Sequence, residues 1–296
     1  MATFDLSNEC IKVAVLNTGA TLHQLFVRDP KGRFVNVIVG LEHESDYCKD
    51  PWYRGAIVGR YAGRLSSPIS IGEKKYPLKG TRDNIVLHSG VDGWHNKIWK
   101  ISKNSENTLS CTYTCSANEV GFPGVVNAQI CYRLLENGLE ISYQATTDTP
   151  TPINLTNHAY FNMDGNGAMA LHQLQLNASH YLDLDSKLVP TGRQIETRNT
   201  PYDFLQMRPI GNQFLDDFFV GTDPKIARLR GHQSKIEMLV ETDQPGAVVF
   251  RPPHFEALCI ETQTPRYDRP PNQKILTNTI PELPYSQTTR FIFTHL

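Results

Sequence analysis

From Leu109 to Ala117 apolar and polar residues alternate strictly, with Leu109, Cys111, Tyr113, Cys115 and Ala117 on one side and Ser110, Thr112, Thr114 and Ser116 on the other. Successive side chains of an extended chain point to opposite faces, so a period of two predicts a strand with one face buried. Val126, Ala128, Ile130, Tyr132 and Leu134 repeat the pattern; Glu136-Asn137-Gly138 supplies turn chemistry, and Leu139, Ile141, Tyr143 and Ala145 resume it. This predicts a long antiparallel hairpin.

Farther on, Ile236, Met238 and Val240 alternate, Asp243-Gln244-Pro245-Gly246 turns the chain, and strand character returns over Ala247 to Phe250 and Phe255 to Gln263. Helical periodicity never lasts beyond a turn or two, apart from a short helix predicted near Ile210 to Phe219. The interval from Asp164 to Asn212 is rich in turns and reads as excursions from a single core. The expectation is an all-β protein with very little helix, a large antiparallel β-sandwich or barrel forming one domain over residues 1–296.

Composition narrows the partners. With 29 basic and 30 acidic residues interspersed, the net charge of -1 provides no electrostatic footprint for nucleic acid or an anionic membrane. A small neutral partner fits better. No apolar stretch reaches membrane-spanning length, and MATFDLSNECIKVAV lacks the features of a secretory signal. The six cysteines show no metal-like spacing, and reduced, buried thiols in a cytoplasmic protein are expected. On that expectation the Asn154-Leu-Thr156 and Asn177-Ala-Ser179 sequons are chance matches.

The candidate chemistry is concentrated in Pro150 to Met163, PTPINLTNHAYFNM. Asn154, Asn157, Asn162 and His158 offer donors and acceptors in several directions, and Tyr160 and Phe161 offer aromatic faces on which a sugar ring can rest. A polar strand end with locally satisfied side chains would have the same composition. Other segments bear on the choice: Gly59-Arg60-Tyr61-Ala62-Gly63-Arg64, Leu87-His88-Ser89-Gly90, Gly121-Phe122-Pro123-Gly124, Leu215-Asp216-Asp217-Phe218 and Cys259-Ile260-Glu261-Thr262-Gln263. The first sets two arginines around a turn but lacks the lysine and the strand-to-helix context of a phosphate loop.

In this order and at these separations, GRYAGR, LHSG, GFPG, TPINLTNHAYFN, LDDFF and CIETQ resemble the blocks of the aldose 1-epimerase (galactose mutarotase) family, over most of the chain. The resemblance implies a galactose mutarotase-like supersandwich with an open sugar cleft. It also implies a cofactor-free, metal-independent reaction interconverting the α and β anomers of a free aldose, by a monomer or homodimer acting on a monosaccharide. By similarity, Glu261 corresponds to the general base and His158 to the general acid. His88, Arg64 and Asp216 correspond to sugar-binding residues, with Arg60 and Asp217 the alternatives if the register differs. Asn154 and Asn157 become supports for the loop that carries His158.

Opening a hemiacetal requires a base at the anomeric hydroxyl and an acid at the ring oxygen, each within hydrogen-bond reach. Glu261 follows Phe255, Ala257 and Cys259 at alternate positions and is expected to project from that apolar row into the cleft. Two departures fall on the sugar-binding side. Gly63 stands where many members carry asparagine, and Ser89 replaces a glycine, where a positive φ would cost a non-glycine residue. A phosphorylated sugar would need a basic cluster, for which Arg54, Arg60 and Arg64 are the candidates, and a noncatalytic sugar-binding protein would share the fold. A glycoside hydrolase would require two suitably spaced carboxylates, and the chain presents one with histidines.

Overall fold

The computed structural model describes residues 2–80, 82–264 and 278–296. Strands make up 52% of the chain and helix 5%, the latter as four 3₁₀ turns among the described residues. Two large antiparallel sheets dominate. A nine-stranded sheet runs in the order Lys100–Ser105, Thr108–Cys115, Val126–Leu135, Gly138–Thr147, Tyr285–His295, Ile236–Thr242, Lys225–Arg230, Gln173–Leu176 and Arg208–Pro209. A six-stranded sheet runs Tyr160–Phe161, Leu258–Thr262, Gly246–Phe250, Asp216–Gly221, Ala178–Leu184 and Pro190–Glu196. A four-stranded N-terminal sheet covers Thr3 to Asn36.

The predicted hairpin is present, pairing Val126 with Thr147 through to Leu135 with Gly138. Along Val126–Leu135 each of Val126, Ala128, Ile130, Tyr132 and Leu134 is buried, as period two requires. Gly138 has another reason to be glycine besides the turn. A Cβ there would lie 2.6 Å from the Phe291 carbonyl of the neighbouring strand, so close backbone approach excludes a side chain.

Two expectations need correction. Residues 210–219 form no helix; Asp216–Gly221 is a strand paired with Gly246–Phe250, and both faces of its Phe218-Phe219 pair are buried, a burden that suits a pleated strand better than a one-sided helix. The Asp164 to Asn212 interval is no excursion, since it contributes four strands, two to each large sheet. Those strands are short or mix polar with apolar positions, which blurs their period. The Asp243–Gly246 turn is present as expected, and it carries the chain from the nine-stranded sheet into the six-stranded one.

The core between the sheets takes Leu258, Ile260, Ala247, Val249, Phe219 and Phe161 from the six-stranded sheet, and residues such as Ile130, Tyr132, Ile141 and Phe291 from the nine-stranded one. Phe161 and Phe291 meet across it with ring centroids 5.0 Å apart. Phe161 is therefore core and no sugar platform. Only its neighbour Tyr160 faces the opposite way. Phe161→Ala is expected to cost about 3–5 kcal/mol of stability, measured by urea unfolding; a loss under about 1 kcal/mol would mean that the two sheets do not pack through this ring.

Candidate active site

The outer face of the six-stranded sheet supplies the floor of a cleft of about 180 Å³. Register explains which residues reach it. Val248 lies opposite Glu261, Phe250 opposite both Cys259 and Asp216, and Tyr160 opposite Cys259. Each is one residue out of phase with a core residue, so burying Ile260, Val249, Phe219 and Phe161 forces Glu261, Val248, Phe250, Phe218 and Tyr160 to the other side. The same parity separates the two aspartates. Asp216 lines the cleft, whereas Asp217 bonds Tyr202, whose ring packs against Phe219 of the core.

Loops supply the walls. His158 lies between the short strands Thr156–Asn157 and Tyr160–Phe161, and the asparagines around it act as expected of supports. Asn157 donates to the Gly55 carbonyl at 2.7 Å and accepts from the Ala159 N–H at 3.1 Å. Asn154 donates to the Ala62 carbonyl and to Gln263 Oε1 at 3.0 and 3.1 Å. Asn162 is buried and donates to the Gly167 and Glu256 carbonyls, so it is no sugar ligand.

His88 and Ser89 have φ of +52° and +64°. The strain anticipated for Ser89 is present, and its hydroxyl compensates by accepting the buried Tyr61 N–H at 2.9 Å. That bond ties LHSG to GRYAGR. A second tie, from the Gly63 N–H to His88 Nδ1 at 3.1 Å, assigns the imidazole proton to Nε2.

The two arginines of GRYAGR have separate tasks. Arg64 lines the cleft, with Nη2 3.4 Å from Asp216 Oδ2. Arg60 is 1% exposed and donates to the Pro123 and Gly124 carbonyls at 2.6 and 3.0 Å and to Thr151 Oγ1 at 3.2 Å. It clamps GFPG from inside the protein, leaving the cleft to Arg64. Arg54 packs over the Phe255 ring, 4.2 Å from its centroid.

At the centre, His158 Nε2 lies 3.4 Å from Glu261 Oε1, both residues 3% exposed, about a hundred positions apart in sequence. Burial, reinforced by the nearby Asp216 charge and opposed by Arg64, raises the Glu261 carboxyl to about 8. Burial likewise lowers His158 to about 3 and pushes His88 well below the ordinary histidine value, where His158 and Arg64 add repulsion. At neutral pH the protons therefore reside with a neutral Glu261 and two neutral imidazoles. Among the described residues Glu261 Oε2 has no hydrogen-bond partner, an expensive condition for a buried oxygen.

His88, His158 and Glu261 bring three potential metal-ligand atoms within 4.8 Å of one another, a cluster that spacing along the chain did not disclose. The proton assigned to His88 Nε2 opposes ligation through that atom, and the set is equally suited to moving protons between sugar oxygens. Residues missed by sequence reasoning are Trp52, Tyr53 and Gln263, all in the cleft wall. Trp52 stacks on Phe250 at 6.2 Å, and Tyr53 stands edge-on to His88 at 5.0 Å. Gln263 was legible, two residues past Glu261 on the same face. The Trp52-Tyr53 loop carried no periodic signal.

Comparison with known proteins gives this arrangement a family. The aldose 1-epimerase family model matches residues 2–273. The chain belongs to the aldose 1-epimerase family. Its members are isomerases acting on sugars. Mouse (Mus musculus) galactose mutarotase is 29% identical over 289 residues, 88% of this chain and 84% of the relative. The aldose 1-epimerase of Escherichia coli (strain K12) is 30% identical over 214 residues, covering 71% and 62%. Among solved structures, a GalM/aldose epimerase homologue from C. elegans superposes with a TM-score of 0.93 at 24% identity, covering 100% of this chain and 99% of that one. Galactose 1-epimerase from Lactobacillus acidophilus NCFM gives 0.87 at 26%, covering 99% and 94%. No helix among the described residues is long and apolar enough to cross a membrane. All six cysteines are free, with Cys111, Cys115 and Cys259 buried, but Cys10 and Cys48 are exposed and Cys131 partly so, against the expectation of uniformly buried thiols.

Because burial holds both cleft imidazoles neutral, nitrogen NMR of the ligand-free protein is expected to show His88 as the Nε2–H tautomer and no titration of His88 or His158 between pH 5 and 8. A midpoint for either inside that interval would contradict the buried geometry.

Proposed function

We propose that the protein is a mutarotase that interconverts the α and β anomers of a free aldose such as glucose or galactose. The observation that carries this reading is the buried contact of His158 Nε2 with Glu261 Oε1 at 3.4 Å on the floor of the cleft. The wall of the cleft mixes aromatic surface from Trp52, Tyr53, Tyr160 and Phe250 with the polar groups Arg64, His88, Asp216 and Gln263, a composition suited to a sugar.

Glu261 takes the proton of the anomeric hydroxyl, His158 protonates the ring oxygen, and the C1–O5 bond opens. Rotation about C1–C2 and the reverse transfers close the other anomer. The pair needs one proton for this, held as a Glu261 carboxylate and a His158 imidazolium. That is the same proton count as the neutral pair of the free site. A sugar hydroxyl donating to Glu261 and a ring oxygen accepting from His158 favour the ionised arrangement. His88 Nε2–H donates to the oxygen on which charge develops, and Arg64 and Asp216 orient the remaining hydroxyls. Proton transfer suffices for this chemistry, so no cofactor is invoked.

Two other readings have less support. A phosphorylated sugar would call on Arg54, Arg60 and Arg64 together, yet only Arg64 lines the cleft. A noncatalytic sugar-binding protein has no use for an acid–base pair whose protonation is so displaced by burial.

Polarimetry of freshly dissolved α-glucose and α-galactose is expected to show acceleration over the spontaneous rate; absence of acceleration for both would overturn the proposal. Glu261→Gln and His158→Asn are each expected to lower kcat by about 10²–10⁴-fold while leaving the urea midpoint near that of the parent. Unchanged turnover would remove that residue from the mechanism.

The pH profile follows from the proton count. Above about 8 the Glu261 carboxyl loses the shared proton and the acid disappears; below about 3 His158 gains a second proton and the base disappears. The kcat/KM of the wild type is expected to be level through neutrality, to fall above pH 8, and to fall on the acid side only in strong acid. An acid limb centred at the ordinary histidine value of 6.5 would contradict the one-proton state.

A further inference from the structure

Proton exchange at His158 uses one ring nitrogen, yet the fold engages both. Nε2 faces Glu261 Oε1 at 3.4 Å, and Nδ1 faces Cys259 Sγ at 3.5 Å. Cys259 and Glu261 lie two positions apart on the strand Leu258–Thr262, so their side chains leave the same face about 7 Å apart along it. A single strand, its register set by the core, therefore holds the imidazole at both nitrogens.

Cys259 is 0% exposed, packed with Tyr160 and Ala257, and it does not line the cleft. It touches no sugar. Burial pushes its thiol well above the ordinary value, and the Glu261 charge adds to the shift, so the sulfur stays protonated and neutral. Any effect on the reaction must pass through His158.

A neutral imidazole carries its proton on one nitrogen and accepts at the other. Glu261 can hand its proton from Oε1 to Nε2 only when the neutral ring leaves Nε2 free, which puts the ring proton on Nδ1. There the Cys259 sulfur is within reach as an acceptor. The ring's own backbone carbonyl also favours the protonated ring, but it already accepts from the Gly55 N–H at 2.9 Å.

We propose that Cys259 is a positioning residue for the acid: its sulfur accepts the His158 Nδ1 proton and so reserves Nε2 for exchange with Glu261 and with the sugar ring oxygen. Sulfur suits the task as a weak, uncharged acceptor. A carboxylate in its place would stabilise the imidazolium and make it a poorer acid. An apolar side chain would let the ring proton move to Nε2, where it blocks transfer from Glu261. The inference rests on the mutarotase reading, in which His158 is the acid.

Cys259→Ala and Cys259→Ser differ by one hydroxyl, so a packing defect alone affects both alike. Cys259→Ala is expected to lower kcat for glucose and galactose mutarotation about tenfold, the worth of one neutral hydrogen bond, with KM changed by less than about twofold. Cys259→Ser restores an acceptor and is expected to recover most of that loss. Nitrogen NMR of the ligand-free wild type is expected to show His158 as the Nδ1–H tautomer, opposite to that of His88, and Cys259→Ala is expected to admit a share of Nε2–H. Thermal melts identify a variant that fails to fold, in which case the wild-type tautomer decides. A wild type carrying the His158 proton on Nε2, or folded Ala and Ser variants with equal kcat, would overturn the role of Cys259 and leave the mutarotase reading standing. A wild type that accelerates neither aldose would overturn that reading and, with it, the role of Cys259.

Discussion

A strand offers its two faces to two environments, and in the six-stranded sheet one of them must be the hydrophobic core. That constraint organises the site. Once Phe161, Phe219, Val249 and Ile260 are committed to the core, the residues one step away, Tyr160, Phe218, Val248 and Glu261, have only the cleft to enter. A slip of one residue would exchange the two sets and bury the wrong ones, so the hydrophobic stabilisation of the core also holds the register of the cleft residues.

The same burial sets the chemistry. Glu261 and His158 are each almost wholly buried, and desolvation disfavours the charged form of each. The carboxyl therefore holds a proton that an exposed glutamate would lose, and the imidazole declines one that an exposed histidine would take. The resulting neutral pair differs from an ionised one only by the position of a proton across 3.4 Å. Loops complete the arrangement through bonds that leave little choice of geometry. Ser89 holds the Tyr61 amide, Gly63 fixes the His88 tautomer, and Asn154 and Asn157, just before His158 in the chain, bind the Ala62 and Gly55 carbonyls.

Much of the fold was legible where strands are long and one-sided. Thr108–Cys115, Val126–Leu135 and Gly138–Thr147 each carry a run of alternation long enough to exclude a helix. Asp216–Gly221 was misread because both faces of the strand are covered, which erases the alternation, and its two aspartates look like a helix start. The strands between Asp164 and Asn212 were missed because short segments with mixed faces have no reliable period. The choice of Arg64 over Arg60 could not be read locally either, since the two differ only in which part of the tertiary structure each meets.

What the sequence by itself determined is the class of residue available at each step: alternating apolar rows for sheets, one glutamate at the end of such a row, and histidines and asparagines grouped in a polar segment. Parity along a strand is a local property, so Glu261 was bound to face away from Ile260, and Asp216 away from Asp217. Only the tertiary structure decided which faces became core and which cleft. It brought His158 within 3.4 Å of a carboxyl group about a hundred residues away, placed Trp52 and Tyr53 in the wall of the same cleft, and opened a pouch beside Gly63. Distances between separate elements, and the exclusion of water that displaces their protonation, arise from packing and are written in no single segment of the chain.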